Sequence, residues 1–123
     1  MTKTEKTVFY DEKLGIELYR FKSIVQPFPN HLHNYYVIGL IENGERKLFC
    51  KNREYTVKKG DILLFNPNDT HGCMQTGNGA FDYSGINIPK KVMMSLVRDI
   101  TAQVCELHFS QNVIRDNELK LYL

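Results

Sequence analysis

The chain lacks the sequence features of membrane proteins, secreted proteins and disulfide-bonded proteins. Its 123 residues include no Trp, 4 Pro and 3 Cys, and no apolar run approaches the roughly 20 residues that a membrane helix needs. Residues 1–6 are too polar for the apolar core of a secretion signal. These absences predict a cytoplasmic protein that does not associate with a membrane.

The cysteines are few and widely separated. Cys50, Cys73 and Cys105 are an odd number, and no pair has the CxxC spacing. Such a pattern predicts neither a disulfide framework nor a zinc ribbon. We therefore expect three reduced thiols, which are most often buried in proteins of this kind.

An excess of charge of one sign is also missing. Sixteen Lys and Arg residues against 14 Asp and Glu residues give a net charge of +2. The basic residues lie mostly in pairs, such as Lys58-Lys59 and Lys90-Lys91, rather than along one stripe. That distribution is too weak for the electrostatic surface that binds phosphates. We expect this chain itself to bind no nucleic acid.

What the sequence does contain is the composition of one globular domain, with 42% hydrophobic and 11% aromatic residues. A domain of this size buries roughly two-thirds of the surface that its unfolded chain exposes, so it can fold without a metal or a disulfide. No repeat or Pro/Ser-rich linker interrupts the chain. Residues 1–123 are therefore predicted to form a single domain.

Short strands separated by tight turns are predicted for most of the chain. Residues 16–22 alternate apolar and polar side chains, and residues 35–42 are rich in β-branched and aromatic side chains. Asn43-Gly44 predicts a type I′ hairpin turn, because it accepts positive φ at two positions, and 46–51 would be the return strand. Turns recurring about every eight to twelve residues predict a sandwich or barrel. Further turns are predicted at Asn52-Arg53 and Lys59-Gly60, and further strands at 54–58, 61–66, His71–Gln75 and Phe81–Ile88.

The β region is predicted to end at Pro89 and to be followed by a helix at about 90–104. Proline is favoured in the first turn of a helix, and apolar residues at helical spacing follow it. Asp116 could cap a second helix at about 117–123, which is too short to be stable alone and so predicts the start of a longer element. The apolar positions of the first helix are Val92, Met93, Leu96, Val97, Ile100 and Val104.

Three of the four histidines lie where two of the predicted strands begin. His31 and His33 share one face of a strand, and His71 begins another strand. If both faces point inward, imidazole, phenol and thiol groups would lie among apolar side chains, as in a small-molecule pocket. The alternative is that each histidine is a hydrogen-bonded residue at a rim. The residues that share the two faces are His31, His33, Tyr35, Val37, Gly39 and Ile41, together with His71, Cys73 and Gln75.

Two sequence motifs connect these strands to a known family. The first contains His31-x-His33-x-x-Tyr36-x-x-Gly39 and is followed by Asn43-Gly44 and Tyr55. The second runs from Gly60-Asp61 through Pro67 and Asp69 to His71 and is the more specific of the two. In their order and spacing, the motifs resemble the cupin motifs in the N-terminal sensor domains of AraC-type transcription regulators. The resemblance covers residues 27–89 well and the later residues more loosely.

The resemblance implies an all-β fold, a cupin double-stranded β-barrel or jelly roll over about 8–88, followed by one or two helices. It implies a domain that binds a small-molecule effector, such as a sugar or another metabolite, inside the barrel. It also implies a homodimer in the full-length protein, which would bind DNA through a C-terminal domain with two helix-turn-helix units. That DNA-binding domain is absent from this chain, which would be either an isolated sensor domain or a stand-alone cupin.

The family's pocket, carried onto this sequence, adds Cys73 and the alternating set Asp82, Ser84 and Ile86 to the histidine faces. A buried Asp82 would need a donor, which a hydroxylated ligand or a histidine could supply. The alternative phase of this strand points Asp82 to water and Tyr83 inward. The predicted ligand-binding residues are therefore His31, His33, Tyr35, Val37, His71, Cys73, Asp82 and Ser84.

The metal-binding cupins that this sequence resembles have HxHxxxE in the first motif and a histidine in the second. Here Val37 stands where the glutamate would fall, which leaves the three histidines His31, His33 and His71 as the only ligands for a divalent transition metal. The preferred hypothesis is therefore a sensor domain with no catalytic residues and no cofactor. The alternative is a small metal-dependent cupin enzyme, an isomerase or dioxygenase, with Tyr35 as an acid or base.

Overall fold

Ten β-strands and one α-helix are present in the parts of the chain that the computed structural model describes, residues 4–24, 28–75 and 79–115. Apart from the helix and the last strand, all of these elements come before Pro89. In chain order they are β1 Glu5–Asp11, β2 Ile16–Ile24, β3 Phe28–His31, β4 Tyr36–Asn43, β5 Glu45–Cys50, β6 Arg53–Lys58, β7 Ile62–Phe65, β8 His71–Gln75, β9 Phe81–Ile88, α1 Lys90–Thr101 and β10 Val113–Ile114.

The strands form two antiparallel sheets that face each other. One sheet has six strands in the order β1-β2-β9-β4-β7-β10, and the other has four in the order β3-β8-β5-β6. Alternate side chains of both sheets point into the space between them, where they form the core. This arrangement is the all-β double-stranded barrel that the family resemblance implied. The core cluster consists of Ile24, Val37, Ile41, Leu48, Cys50, Val57, Leu63, Phe65 and Phe81.

The predicted hairpin at Asn43-Gly44 is wrong. β4 pairs with β7 and β9 in the six-stranded sheet, whereas β5 pairs with β6 and β8 in the other, so the chain crosses between the sheets at Gly44. Gly44 has φ of 94°, and a Cβ at this position would lie 2.5 Å from the Ala80 carbonyl oxygen. The glycine is therefore required by a corner of the barrel rather than by a hairpin turn.

The two-residue hairpin instead lies one residue before the predicted turn at Asn52-Arg53. Lys51 and Asn52 have φ of 49° and 65°, and Cys50 pairs directly with Arg53. Positive φ at both central residues is the requirement of a type I′ turn. The prediction missed this position because Lys has no preference for the left-handed region, whereas Asn does.

Helix α1 begins at Lys90, as predicted, but ends at Thr101 rather than at 104. Ala102 takes the left-handed conformation that ends many helices, with φ of 60°, and its N–H donates to the Arg98 carbonyl. The buried residues of α1 are Met93 and Val97, which pack with Tyr36 and Ile88 on the outer face of the six-stranded sheet. Ile100, which we expected on the packed face, is 82% exposed. The predicted helix at 117–123 lies outside the described residues.

A turn between β7 and β8 connects the segment after α1 to the barrel. The buried Asp69 carboxylate accepts hydrogen bonds from the Asn66 backbone N–H (2.9 Å) and the Asn112 side-chain amide (3.2 Å). The Asn66 side chain accepts from the Phe109 N–H (2.7 Å), and Asn68, with φ of 70°, takes a left-handed conformation that Asn tolerates. These bonds hold residues 109–112 beside β7.

Asp61 plays a similar part at the preceding turn. Its buried carboxylate accepts hydrogen bonds from the Lys58 N–H (3.0 Å) and from the Arg115 guanidinium (2.6 Å). Gly60 takes φ of 92° in this turn. Gly60 thus allows a tight turn, and the carboxylate of Asp61 in this turn also binds Arg115, the last described residue.

We predict that Asp69→Ala lowers the free energy of unfolding by about 3 kcal/mol, because it leaves buried N–H groups of Asn66 and Asn112 without their acceptor. Urea unfolding followed by circular dichroism measures this loss. The control is Thr70→Ala, an exposed neighbour, which should change the free energy by less than about 0.5 kcal/mol. Equal stabilities of the two variants would contradict the role assigned to Asp69.

Candidate functional site

A cavity of about 370 Å³ lies between the two sheets. Six of the eight predicted ligand-binding residues line it, and they come from β3, β4, β8 and the segment that joins β3 to β4. Its remaining walls are largely aromatic and aliphatic. The predicted residues in the lining are His31, His33, Tyr35, Val37, His71 and Cys73.

The three histidines meet at one end of this cavity. His31 and His71 are direct partners across β3 and β8, and their ring centroids are 4.3 Å apart. His33 lies 4.8 Å from His31 and 5.4 Å from His71 by the same measure. One ring nitrogen of each residue lies within 4.8 Å of those of the others. The sequence spacing therefore predicted a real cluster.

Hydrogen bonds to the backbone fix the orientation of two of these rings. The His31 Nδ1–H donates to the Pro29 carbonyl at 2.8 Å, and the His71 Nδ1–H donates to the Asp69 carbonyl at 3.0 Å. Because a carbonyl oxygen only accepts, each of these bonds requires the proton on Nδ1. His71 also stacks on Phe65, with ring centroids 3.9 Å apart. In both residues the neutral ring therefore has its lone pair on Nε2.

The histidines at the buried end of the cluster are held in the uncharged form. The pKa of His71 is lowered from its usual value of 6.5 to about 4, mainly by burial. The neighbouring His31 and His33 act in the same direction, whereas the hydrogen bond to the Asp69 carbonyl opposes the change. Burial and His31 also lower the pKa of His33. At neutral pH these imidazoles are hydrogen-bonding groups rather than cations.

Three imidazoles are a donor set that divalent transition metals accept. The Nδ1 bonds to backbone carbonyls are the outer contacts that orient metal-binding histidines. No carboxylate accompanies them at the predicted fourth position, because Val37 is buried there with 3% of its surface exposed. The cluster therefore fits a metal through three nitrogens and lacks the anionic ligand.

Two predicted site residues, Asp82 and Ser84, do not line the cavity. Phe81, Tyr83 and Asn87 of β9 line it instead, so the alternative phase of this strand is the correct one. The outer face of β9 is also apolar, because Ile86 and Ile88 pack against α1, so hydrophobicity alone could not show which face points inward. Asp82 accepts a hydrogen bond from the Ser23 N–H at 2.8 Å, at an irregularity in β2.

Two tyrosines, Tyr19 and Tyr83, form the floor of the cavity. The sequence analysis missed Tyr19 and pointed Tyr83 inward only in the alternative phase of its strand. A Cβ at Gly39 would overlap the Tyr83 hydroxyl, and one at Gly85 would overlap the Tyr19 hydroxyl. A glycine inside a strand often marks such a close approach, so Gly39 and Gly85 were the available signal. The Tyr19 O–H donates to the Tyr83 oxygen at 3.3 Å.

Both of these hydroxyls keep their protons at neutral pH. Burial raises the pKa of Tyr19 to about 12, and burial together with Tyr19 raises the pKa of Tyr83 well above its usual value. Since Tyr19 donates to Tyr83, the Tyr83 O–H can donate in turn to a group inside the cavity. The floor therefore offers a neutral hydrogen-bond donor beside apolar walls.

A buried arginine is another cavity residue that the sequence analysis missed. Arg46 lines the cavity and is 0% exposed. Its signal in the sequence was the alternation of β5, which places Arg46 on the same face as Leu48 and Cys50. Charged residues are seldom fully buried, so the residue type itself gave no indication that Arg46 points inward.

Within the described ranges, no helix is both long and apolar enough to span a bilayer.

Comparisons with known proteins agree with this architecture. The sequence model of the AraC-like ligand binding domain matches residues 13–122. An uncharacterized HTH-type transcriptional regulator of Bacillus subtilis (strain 168), YbfI, is 47% identical over 119 residues, which are 97% of this chain. The chain spans only 43% of the length of that relative.

The fold is also that of solved cupin structures with low sequence identity. A cupin superfamily protein from Desulfitobacterium hafniense superposes with a TM-score of 0.59 at 13% identity, over 71% of this chain and 78% of that one. An RmlC-like cupin with a double-stranded β-helix fold from Methanocaldococcus jannaschii gives 0.58 at 18% identity, over 72% and 91%. The predicted cupin barrel is thereby confirmed.

We predict that the domain loses stability as the pH falls from about 6.5 towards 4. Between these values the unfolded chain protonates a histidine that the folded protein keeps neutral at position 71, so unfolding takes up a proton. The slope approaches about 1.4 kcal/mol per pH unit for one proton. Urea unfolding at several pH values in the presence of EDTA measures it.

The variant His71→Gln should reduce this slope, because it removes the histidine whose pKa is lowered to about 4, while His33, whose pKa is also lowered, remains. His108→Gln, which removes an exposed imidazole outside the cavity, should leave the slope as it is. An unchanged slope in His71→Gln would show that the acid sensitivity has another origin.

Proposed function

The chain belongs to the AraC-like ligand binding domain family, and from this we propose that it is the cytoplasmic sensor domain of a bacterial transcription regulator and binds a small-molecule effector in the cavity between its sheets. The observation that carries the proposal is the cavity itself. Apolar walls surround a few polar groups that converge from several strands, the three histidines at one end and the tyrosine pair on the floor. Ligand sites of proteins have this makeup and a volume of about 300 to 1,000 Å³.

The position of the cavity also supports a physical connection between effector binding and the segment after α1. An effector group bound to Nε2 of His71 would be connected through the His71 ring to the Asp69 carbonyl, because the Nδ1–H of the same ring donates to that carbonyl. Asp69 in turn holds Asn112, in the segment after α1. An effector that favours one orientation of His71 would therefore bias the turn that holds this segment to the barrel. The effector acts by population shift and needs no chemical step.

Dimerisation and DNA binding by the full-length protein stay predictions. Leu96 and Ile100 of α1 and Val104 after it are apolar and exposed, at 42%, 82% and 70%. An exposed apolar surface of this kind is what a helix-mediated dimer would cover. The DNA contact is assigned to a separate domain, as in a helix-turn-helix regulator.

The alternative function, a metal-dependent isomerase or dioxygenase, has one observation in its favour. His31, His33 and His71 bring three ring nitrogens within 4.8 Å of one another, and a metal held there would supply Lewis-acid or redox chemistry. Against it, Val37 contributes no negative charge, so the metal's charge would be compensated less well. Tyr35, the proposed acid or base, stacks on His33 with ring centroids 4.6 Å apart. We favour the sensor.

For the sensor, we predict that a metabolite found by thermal-shift screening binds about 10-fold more weakly to Tyr83→Phe and to His71→Ala. Each change removes one hydrogen-bonding group from a closed site. Ser84→Ala is the matched control, because Ser84 is next to Tyr83 on β9 but points away from the cavity. Calorimetric titration of the three variants measures the change. Equal affinity in all of them would place the ligand elsewhere.

For the metal, we predict less than one equivalent of transition metal per chain in protein purified without added metal. The reason is the missing carboxylate at position 37. Elemental analysis measures the content, and Val37→Glu should raise it by restoring the anionic ligand. One full equivalent of iron, nickel, manganese or zinc, lost in His31→Ala, would favour the enzyme over the sensor.

A further inference from the structure

Strand β1 forms one edge of the six-stranded sheet. Among the described strands it pairs only with β2, in an unbroken register from Glu5 to Asp11. The backbone N–H and C=O groups on its other side therefore face no described strand, and an edge of this kind is a template for pairing with another chain. β1 also precedes residues 13–122, the range that the family model matches.

Three consecutive large apolar side chains in the middle of β1 are exposed. Val8, Phe9 and Tyr10 are exposed by 49%, 58% and 58%. Since neighbouring residues of a strand point to opposite faces, β1 is apolar on both faces at its centre. A strand with one solvated face normally alternates apolar and polar side chains. The composition of β1 is therefore that of a strand with neighbours on both sides.

The other edge strands of the two sheets have protection that β1 lacks. β3 has only four residues, contains Pro29 and has an interrupted register with β8. β10 has two residues. In β6 the apolar residues Tyr55 and Val57 are half-buried and buried, and the exposed residues are polar. Because proline, short strands and irregular registers hinder edge pairing, β1 is the edge best suited to accept another strand.

The sequence of β1 is complementary to itself in one antiparallel register. A two-fold axis that passes through Phe9, perpendicular to the sheet, places the two Phe9 side chains opposite each other. The same axis places Val8 opposite Tyr10, and Lys6 opposite Glu12 in the turn that follows β1. The central pairs are then apolar, and each end carries a pair of opposite charges, both of which favour cross-strand pairing.

The neighbouring registers lack this complementarity. Centring the pairing one residue earlier would place Glu5 opposite Asp11, and like charges in direct opposition are unfavourable. Centring it one residue later would place Phe9 opposite Asp11, which sets a carboxylate against an aromatic ring. The charges at the two ends of β1 therefore select the register through Phe9.

We propose that β1 is a dimerisation edge, at which two copies of this chain pair in antiparallel fashion through Phe9 and join their six-stranded sheets into one. This interface is separate from the exposed apolar residues of α1. An edge of seven residues buries less than the roughly 1,200 Å² at which stable interfaces begin. The expected dimer is therefore weak, with a dissociation constant in the micromolar range.

The pairing brings the second copy next to the ligand cavity. Lys6 and Val8 line the cavity, whereas Thr7 and Phe9 line a groove on the outer face of the same sheet. Tyr10 of the second copy lies opposite Val8 on the cavity side, at the spacing of about 5 Å between direct cross-strand neighbours. Each copy thus adds a tyrosine beside the cavity wall of the other.

Sedimentation equilibrium of the chain over a range of concentrations tests the proposal. Phe9→Lys should raise the dissociation constant of the dimer by about 10-fold or more, because it sets two ammonium groups opposite each other at the two-fold axis. Phe9 is largely exposed within one chain, so the variant should fold, and circular dichroism checks this.

Two matched controls also replace an exposed apolar residue by lysine. Leu40 is 41% exposed on the outer face of β4, three strands and about 14 Å from β1. Ile100 is 82% exposed on α1. Leu40→Lys and Ile100→Lys should both leave the dissociation constant unchanged.

An exchange of the end charges tests the register itself. Lys6→Glu and Glu12→Lys should each raise the dissociation constant by about 5-fold, since each turns two attractive pairs into two repulsive ones. The double variant Lys6→Glu/Glu12→Lys restores opposite charges and should dimerise like the unaltered chain. Because the two single variants change the net charge in opposite directions, a general effect of charge would not weaken both.

Three results would overturn the proposal. One is a chain that stays monomeric at millimolar concentration. Another is a dimer that Phe9→Lys leaves intact while Ile100→Lys or Leu40→Lys dissociates it, because the contact would then lie on α1 or on the outer face of the sheet. The third is a double charge variant that fails to recover. None of these results bears on the effector cavity, which the ligand titrations test separately.

Discussion

The burial of the Asp69 carboxylate is the constraint on which the rest of the site depends. A buried carboxylate is tolerated only when hydrogen-bond donors surround it, and the donors here come from its own turn and from Asn112. The same turn supplies the carbonyl that orients His71 and the Asn68 N–H that donates to the His33 carbonyl at 2.6 Å. One buried charge thereby positions two of the three imidazoles and the segment that follows α1.

One face of the six-stranded sheet lines the cavity, and the other face packs against α1. β4 and β9 direct Val37 and Tyr83 inward to the cavity, while Tyr36 and Ile88 of the same strands pack outward against α1. Because neighbouring residues of a strand point to opposite faces, a movement of either strand affects both packings. The sheet and the Asp69 turn are thus two physical links between a ligand and the C-terminal segment.

Much of the fold and half of the site could be predicted from the sequence, because strand alternation and turn chemistry are local properties. The spacing of His31, His33 and His71 predicted a cluster on that basis alone. The phase of β9 could not be predicted, since α1 makes its outer face as apolar as its inner one. The corner at Gly44 depends on contact with Ala80, far away in the sequence. Arg46 was missed because its burial depends on partners from three other strands.

The central claim is that the cavity between the sheets holds the effector. Imidazole ¹H–¹⁵N correlation spectra test it most directly, recorded while a metabolite selected by thermal-shift screening is titrated into the protein. His31, His33 and His71 report on the cavity, and the exposed His108 reports on the surface of the same molecule. The account predicts saturable shifts of the three cavity signals with no change at His108. Shifts confined to His108, or saturation of binding with the cavity signals unmoved, would contradict it.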